Sequence, residues 1–239
     1  MKPDKQPLVE GCASMGIDLH EDQIAAFESY LSLLLEWNKK INLTAIREPK
    51  EIQIYHFLDS LSALKLDIIK KNSSLLDMGT GAGLPGIPIK IICPQVSLVL
   101  LDSVNKKVRF VETVIEQLKL DKCTAVHARA EEMAREPGKR EAFDVVVSRA
   151  VAEMRVLSEY CLPFVKQGGY FLAYKGPGAD EELKDAQNAL KILGGEWVET
   201  RDIKVPFSDK THKIIVIKKK SKTPKQYPRS AGKPKKFPL

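Results

Sequence analysis

The sequence predicts an α/β protein built on a doubly wound, mostly parallel sheet, and three observations support this. From residue 74 onward, short continuous apolar runs alternate with stretches of helical periodicity. A glycine-rich turn follows the first of these runs. The first 72 residues show helical periodicity and no strand pattern. Parallel strands joined by helices produce this alternation, because helices cover both faces of the sheet. We expect a helical N-terminal cap (1–72), a Rossmann-like domain (73–217) and a basic tail (218–239).

Two helices are predicted in the cap. Between residues 21 and 40 apolar side chains recur at intervals of three and four, which is typical of an amphipathic helix. Asp18 or His20 is expected at its start, because polar residues commonly precede a helix. The second helix is predicted over residues 49–65.

The strands of the Rossmann-like domain are predicted from short apolar runs separated by helical stretches. Five of them should be parallel: SLLDMG, SLVLLD, CTAVHA, FDVVVSRA and GGYFLAYKG. Two later runs, GEWVETRDIKV and HKIIVIKKK, are expected to close the sheet as an antiparallel pair.

Composition narrows the class of protein. The chain has 239 residues, of which 44% are hydrophobic and 29% charged, and no apolar run approaches the roughly 18 residues that a membrane span needs. The first residues lack the apolar block of a signal peptide. Its four cysteines form no CxxC pair, which indicates free thiols rather than a disulfide framework or a zinc site. We therefore expect a cytoplasmic protein without a metal, and a monomer is the default.

The positive charge is concentrated at the C-terminus. The net charge is +7, yet residues 218–239 alone contain nine Lys or Arg and no acid. This tail also contains four prolines and two aromatic residues, so it should not bury a core and is expected to be flexible. Clustered cations favour a polyanion such as nucleic acid over a membrane surface, since no amphipathic helix accompanies them. A merely solvating tail is the alternative.

The glycine-rich turn raises the question of which cofactor it binds. Gly81 to Gly86 fits the dinucleotide pattern G-x-G-x-x-G, but glycines alternate from Gly79 and an acid, Asp77, precedes them. A carboxylate repels a pyrophosphate, whereas it can pair with the α-ammonium group of a methionine moiety. Pro85 also removes a backbone N–H that a pyrophosphate would use. These features favour S-adenosylmethionine over NAD.

Asp102 ends the second predicted strand, 19 residues after Gly83, and is expected to be exposed at that strand end. An acid at this position binds ribose hydroxyls in either class of cofactor, so it indicates a nucleoside without discriminating between them. A glycine turn without any ligand remains a further alternative.

These motifs and several others resemble one family closely. The matching segments include WNKKINLTAI, HFLDS, DMGTGAGLPGIPIKI, LLDSVNKKVRFV, VVSRAVA and the terminal YPRSAGKPKKFPL, which together extend from about residue 35 to the C-terminus. They are similar to the small-subunit ribosomal RNA guanine-N7 methyltransferases, the RsmG or GidB family. The resemblance implies methyl transfer from S-adenosylmethionine to one guanine of 16S RNA, in the decoding region linked to streptomycin sensitivity.

Two absences agree with N7 as the target. No cysteine ends the fourth predicted strand, as methylation of a pyrimidine carbon would need, and the Asn/Asp-Pro-Pro-aromatic motif of amine methylation is missing. Guanine N7 has a free lone pair and loses no proton on methylation. Catalysis then needs positioning and electrostatic stabilisation rather than a base.

The resemblance also implies a set of cofactor-binding residues. Gly79 and Leu84 would line the methionine and ribose side, Asp102 would hold the ribose, and Ala130 with Glu131 would flank the adenine. The glycine-loop pattern itself adds Asp77 and Gly81 to the expected cofactor-binding residues. The alternative for Glu131 is an acid in the first turn of a helix, where it favours the helix dipole.

Arg149, at the end of the fourth predicted strand, is expected to orient the cofactor or an RNA phosphate; a solvated arginine is the alternative. His56, Asp59 and Ser60 lie too close in sequence to form a nucleophilic triad. His56 and Asp59 share a helix face, so we expect them to link the cap to the cofactor loop. The candidate RNA contacts are all cationic: Lys175, Lys213, Arg229, Lys233, Lys235 and Lys236.

The alternatives to an RNA methyltransferase are a small-molecule methyltransferase, a noncatalytic ribosome-binding factor with a nucleoside pocket, and an NAD-dependent dehydrogenase. The first of these leaves the basic tail unexplained.

Overall fold

A computed structural model describes residues 5–210 and 212–239. Seven strands form one sheet in the order β3-β2-β1-β4-β5-β7-β6. Strands β1 to β5 are parallel, and β7 lies antiparallel between β5 and β6. This confirms the predicted class and the antiparallel closing pair. The strands are β1 (Ser74–Met78), β2 (Ser97–Asp102), β3 (Cys123–His127), β4 (Phe143–Arg149), β5 (Val165–Lys175), β6 (Gly195–Ile203) and β7 (His212–Lys219).

Helices cover both faces of the sheet. They are α1 (Gln6–Ser14), α2 (Glu21–Asn38), α3 (Pro49–Ile52), α4 (Asp59–Leu61), α5 (Gly86–Ile92), α6 (Asn105–Gln117), α7 (Ala130–Met133), α8 (Met154–Cys161), α9 (Ala179–Asp185), α10 (Gln187–Leu193) and α11 (Lys233–Lys236). Among the described residues, no helix is both long and apolar enough to cross a membrane.

The cap differs in detail from its prediction. Helix α2 begins where expected, with His20 at the N-cap and its backbone N–H donating to Gln23 Oε1. The second predicted helix is a composite, in which a π-helical segment (Gln53–Leu58) joins α3 to α4. Helix α1 was not predicted; it packs closely because Gly11 has no side chain to collide with Leu58.

Alternate residues of β1, β2, β4, β5 and β7 face two hydrophobic clusters, one on each side of the sheet. The first cluster joins α1, α2, α5 and α6 to strand residues such as Leu75 and Val147. The second joins α7 to α10 to residues such as Leu76 and Val146. The cap therefore shares its core with two helices of the Rossmann-like domain. It also reaches the glycine turn, since the Tyr30 hydroxyl donates to the Ala82 carbonyl.

The prediction of a flexible tail is wrong. Lys218 and Lys219 belong to β7, the helix α11 packs against α8, and the Gly232 N–H donates to Glu131 on α7. Arg229 forms a bidentate pair with Glu159, whose side chain is completely buried. Arg140 donates to the carbonyl groups of Thr223 and Tyr227, both at 2.8 Å. The composition of the tail does not predict this docking, because its partners lie 70 to 90 residues away in the chain.

Candidate cofactor cavity and adjoining cleft

The glycine loop, residues 79–86, connects β1 to α5 at the carboxyl edge of the sheet. Gly79, Gly81 and Gly83 have φ values of +69°, +59° and +88°, a backbone conformation that disfavours side chains. The space beside Gly79 is filled by Val151, and a Cβ atom on Gly83 would lie 2.3 Å from Ile87 Cδ1. At Gly81 the nearest atom to such a Cβ is 3.9 Å away, so that position is the least crowded of the three, but it is Gly79 and not Gly81 that lines the cavity described below.

Asp77 is completely buried beneath this loop. Its Oδ2 atom accepts hydrogen bonds from the Thr80 hydroxyl at 2.7 Å and from the Gly86 N–H at 2.8 Å. Burial raises the pKa of its carboxyl group to about 6, because these hydrogen bonds only partly offset desolvation. Its Oδ1 atom has no hydrogen-bond partner among the described residues. Asp77 therefore supports the loop and keeps one buried acceptor free.

Asp102 holds the loop from the neighbouring strand. Its Oδ2 atom accepts from the Gly81 N–H at 2.9 Å, and Oδ1 accepts from the Val104 N–H at 2.8 Å. The residue is only 6% exposed, so the expectation of an exposed strand end is wrong. Each oxygen still has a second lone pair.

Asp102 also borders a cavity of about 120 Å³, which we name the inner cavity. Its lining is Met78, Gly79, Leu101, Asp102, Ser103, Ala128, Arg129, Ala130, Glu131, Val151 and Tyr160. The cavity thus brings together four predicted cofactor residues: Gly79, Asp102, Ala130 and Glu131.

Leu84 is not among the lining residues; it is buried in the first hydrophobic cluster. Sequence reasoning also missed Tyr160 and Val151, which line the cavity. No local pattern marks Tyr160 as a cavity residue, whereas Val151 lies only two residues after Arg149, a predicted site residue at the end of β4.

A larger cleft of about 890 Å³ lies beside the inner cavity, at the ends of β4, β5 and β7. We name it the cationic cleft, because four Lys or Arg side chains line it against three carboxylates. Its charged and aromatic lining consists of Tyr55, His56, Asp59, Arg149, Glu153, Tyr174, Lys175, Glu182, Lys210, His212 and Lys213. Val151 lines both spaces, so the cleft and the cavity adjoin each other.

Asp59 is the centre of a buried charge cluster in the cleft. The Arg149 guanidinium donates to Asp59 Oδ2 at 2.7 Å, and His212 Nδ1 lies 2.9 Å from Oδ1. Burial alone would raise the pKa of Asp59, but the contacts with His212 and Arg149 outweigh it and hold that pKa below its ordinary value. The prediction that His56 and Asp59 link the cap to the cofactor loop is therefore wrong; they link it to β4 and β7.

His56 completes the cluster as a neutral group. Burial and the nearby Arg149 charge lower its pKa to about 4. Its Nε2 atom lies 2.7 Å from the Thr44 hydroxyl oxygen, and its Nδ1 atom 3.2 Å from the Tyr55 carbonyl oxygen. Ser60 is buried and donates to the His56 carbonyl, which leaves it no role as a nucleophile.

The predicted RNA contacts divide into two groups. Lys175 pairs with Glu182 and Lys213 with Asp180, both at 2.6 Å, and both lysines line the cationic cleft. Arg229 also belongs to this paired group, because its guanidinium pairs with Glu159, although it does not line the cleft. The other group is exposed on the docked tail; we name it the tail lysines, which are Lys233, Lys235 and Lys236. Contact of any of these residues with RNA stays a prediction.

The seven-stranded, mostly parallel sheet with helices on both faces is the fold of the Rossmann-like methyltransferases that use S-adenosylmethionine. Solved structures with this fold include a putative methyltransferase of Bacillus halodurans, with a TM-score of 0.53, 15% identity, and 68% of this chain and 99% of that chain covered. Another is TYW2 of M. jannaschii in complex with AdoMet, with a TM-score of 0.52, 13% identity, and coverage of 67% and 74%. At these identities the likeness concerns the fold alone.

The family follows from the sequence comparisons. Residues 23–212 match the family model GidB, described as rRNA small subunit methyltransferase G. Relatives with that name occur in Alkaliphilus oremlandii, at 51% identity, and Alkaliphilus metalliredigens, at 48%; each alignment covers 98% of both chains. The chain belongs to the rRNA small subunit methyltransferase G family. It is an S-adenosylmethionine-dependent methyltransferase, as the resemblance of its motifs predicted.

Proposed function

We propose that this enzyme transfers the methyl group of S-adenosylmethionine to N7 of one guanine in 16S RNA of the small ribosomal subunit. The observation that carries the proposal is the junction at Val151, where the inner cavity adjoins the cationic cleft. A cofactor in the cavity and a base in the cleft would meet there. Methyl transfer requires such an approach, because the acceptor must attack in line with the breaking bond.

The residues of the inner cavity fit a nucleoside. The free lone pairs of Asp102 can accept from ribose hydroxyls, while Ala130 and Glu131 border the space expected for the adenine. Beneath the glycine loop, Asp77 is completely buried and does not line the cavity, so its carboxylate would favour a positively charged methionine moiety only through the loop that it holds. When bound, the cofactor supplies an electrophilic methyl group on a sulfonium.

The cleft residues would bind and position the RNA. Lys210 lies over the Tyr55 ring, 4.3 Å from its centroid, so a cation and an aromatic ring meet in the cleft; stacking of an unpaired base on this ring would require Lys210 to move aside towards a phosphate. Lys175, Lys213 and Arg149 add positive charge that favours phosphates, although each is also paired with a carboxylate. Guanine N7 uses its own lone pair and releases no proton, so these residues need only orient the base.

The methylated base, 7-methylguanosine, has a positive charge. Glu153 and Glu182 line the cleft and would favour this developing charge electrostatically. We further propose that the enzyme is a cytoplasmic monomer, and that its loss changes sensitivity to streptomycin, as the family resemblance implies.

The decisive experiment supplies labelled S-adenosylmethionine to small ribosomal subunits and to naked 16S RNA from cells that lack this protein. The RNA is then digested to nucleosides, which are identified by mass and chromatography. We expect new 7-methylguanosine. Lys210→Gln should raise the KM for RNA several-fold, whereas Lys70→Gln, which breaks an exposed ion pair with Asp67, should leave it unchanged. Intact cofactor binding without any methyl transfer to RNA would contradict the proposal and favour a noncatalytic binding factor.

A further inference from the structure

We infer that the docked C-terminal segment, residues 221–239, is a structural part of the cofactor site, with Arg229 as its positioning residue. Docking of the segment holds the outer wall of the inner cavity, so docking and cofactor binding strengthen each other. The inference rests on the proposed role of the inner cavity as the cofactor site.

Arg229 anchors the segment to α8. Its backbone N–H donates to Glu159 Oε1 at 2.7 Å, and its guanidinium donates to both oxygens of the same carboxylate, at 3.0 and 2.6 Å. The Glu159 side chain is fully buried in this arrangement. A second guanidinium contact reaches the Phe237 carbonyl at 2.8 Å, which ties the end of the chain to the same point. The buried Glu159 carboxylate is stabilised only while these donors are in place, because a buried charge without its partner is strongly destabilising.

Two neighbours of this anchor line the inner cavity. Tyr160 follows Glu159 directly on α8, and Glu131, on α7, accepts a hydrogen bond from the Gly232 N–H at 3.1 Å. Arg135, just beyond α7, donates to the Pro228 carbonyl at 2.9 Å. The segment therefore connects α7 with α8 on the outside, while the inner sides of the same two helices form a wall of the cavity.

Undocking would remove these restraints together. Glu159 would be left without its counter-charge, and Glu131 would lose the donor that orients its carboxylate. The wall would then have to be ordered again by the cofactor, which lowers the observed affinity. Because the coupling between two equilibria is reciprocal, the cofactor must favour docking by the same factor. A coupling factor of about 10-fold is within the usual range.

Hydrogen–deuterium exchange of the wild-type protein tests this directly. The amides of Arg229 and Gly232 donate to side chains on α8 and α7, so they exchange only when the segment opens. Saturating S-adenosylhomocysteine should slow exchange in the peptide that contains them by about 10-fold, and should leave the edge strand β6 unaffected. Unchanged exchange in the segment would overturn the inference without the need for any variant.

A matched pair of variants gives the second measurement. Arg229→Met removes the anchor, and Arg201→Met removes an arginine that pairs with Glu199 on β6, away from the cavity. We expect Arg229→Met to weaken S-adenosylhomocysteine binding and to raise the KM for S-adenosylmethionine by about 10-fold, with a smaller change in kcat. Arg201→Met should change neither. Unaltered cofactor affinity in folded Arg229→Met protein would overturn the inference. Failure of the proposed cofactor site is distinguishable, since Asp102→Ala would then bind as tightly as wild type.

Discussion

Replacing Asp77 by Asn should make the protein's stability respond differently to pH. Asp77 is fully buried and its Oδ2 atom accepts two hydrogen bonds, which an amide oxygen can also accept. Burial raises its pKa from the ordinary value of 3.8 to about 6. Between these values the folded state binds more protons than the unfolded state. Wild-type stability therefore falls as pH rises through this window, relative to the Asn variant, which does not ionise.

The magnitude follows from the shift in pKa. At about 1.4 kcal/mol per unit, a rise of roughly two units corresponds to about 3 kcal/mol in all. Of this, about 2 kcal/mol falls between pH ~4.5 and pH ~7.5, because the unfolded carboxyl group is already largely ionised at the lower pH. Equilibrium unfolding in urea at several pH values, with both proteins side by side, measures the difference in the free energy of unfolding.

A difference that stays constant across this range, or that changes in favour of the wild type as pH rises, would refute the reasoning. Asp59→Asn provides a control of opposite sign. The contacts with His212 and Arg149 hold the pKa of Asp59 below its ordinary value, despite its burial. Its contribution to stability is therefore present above that ordinary value and is lost as pH falls. Relative to Asp59→Asn, the wild type should gain stability with rising pH.

Three further predictions concern the loop, the cofactor and the RNA. Asp102→Ala should abolish most cofactor affinity, measured by calorimetry, and unchanged affinity would exclude Asp102 from the site. The same change should destabilise the fold by about 1–3 kcal/mol for each N–H group left without its acceptor. Gly83→Ala should cost about 1–3 kcal/mol in urea unfolding, because φ is +88° and the new methyl group would meet Ile87; a neutral result would contradict this. Changing the tail lysines to Gln should reduce the salt dependence of RNA binding and leave cofactor affinity unchanged. The slope of log K against log salt concentration should fall by about 0.7–0.9 for each RNA phosphate that is no longer neutralised. An identical slope would exclude these lysines from the RNA surface.

The tail shows why truncation is the wrong test of RNA binding. On composition alone, removal of residues 218–239 would only delete positive charge. In the structure it would also shorten β7 and strip Glu159 of Arg229. Substitution of the exposed lysines separates the electrostatic contribution from these structural ones.

Local patterns in the sequence were sufficient to predict the strands, the antiparallel closing pair and the glycine loop. Apolar runs, helical periodicity and positive-φ glycines are properties of neighbouring residues, so they can be recognised without knowledge of the fold. The family motifs were equally recognisable, and they established the cofactor and the class of reaction.

Only the tertiary structure decided which charged groups meet. Asp59 joins Arg149, 90 residues away, and Glu159 joins Arg229, 70 residues away. The composition of a lysine-rich, proline-rich segment predicts disorder because it counts the segment's own apolar residues, not the buried carboxylates that lie elsewhere in the chain. Asp102 was expected to be exposed because it ends a strand, but the glycine loop folds over it and buries it. Such pairings depend on distance in space, which local sequence does not encode.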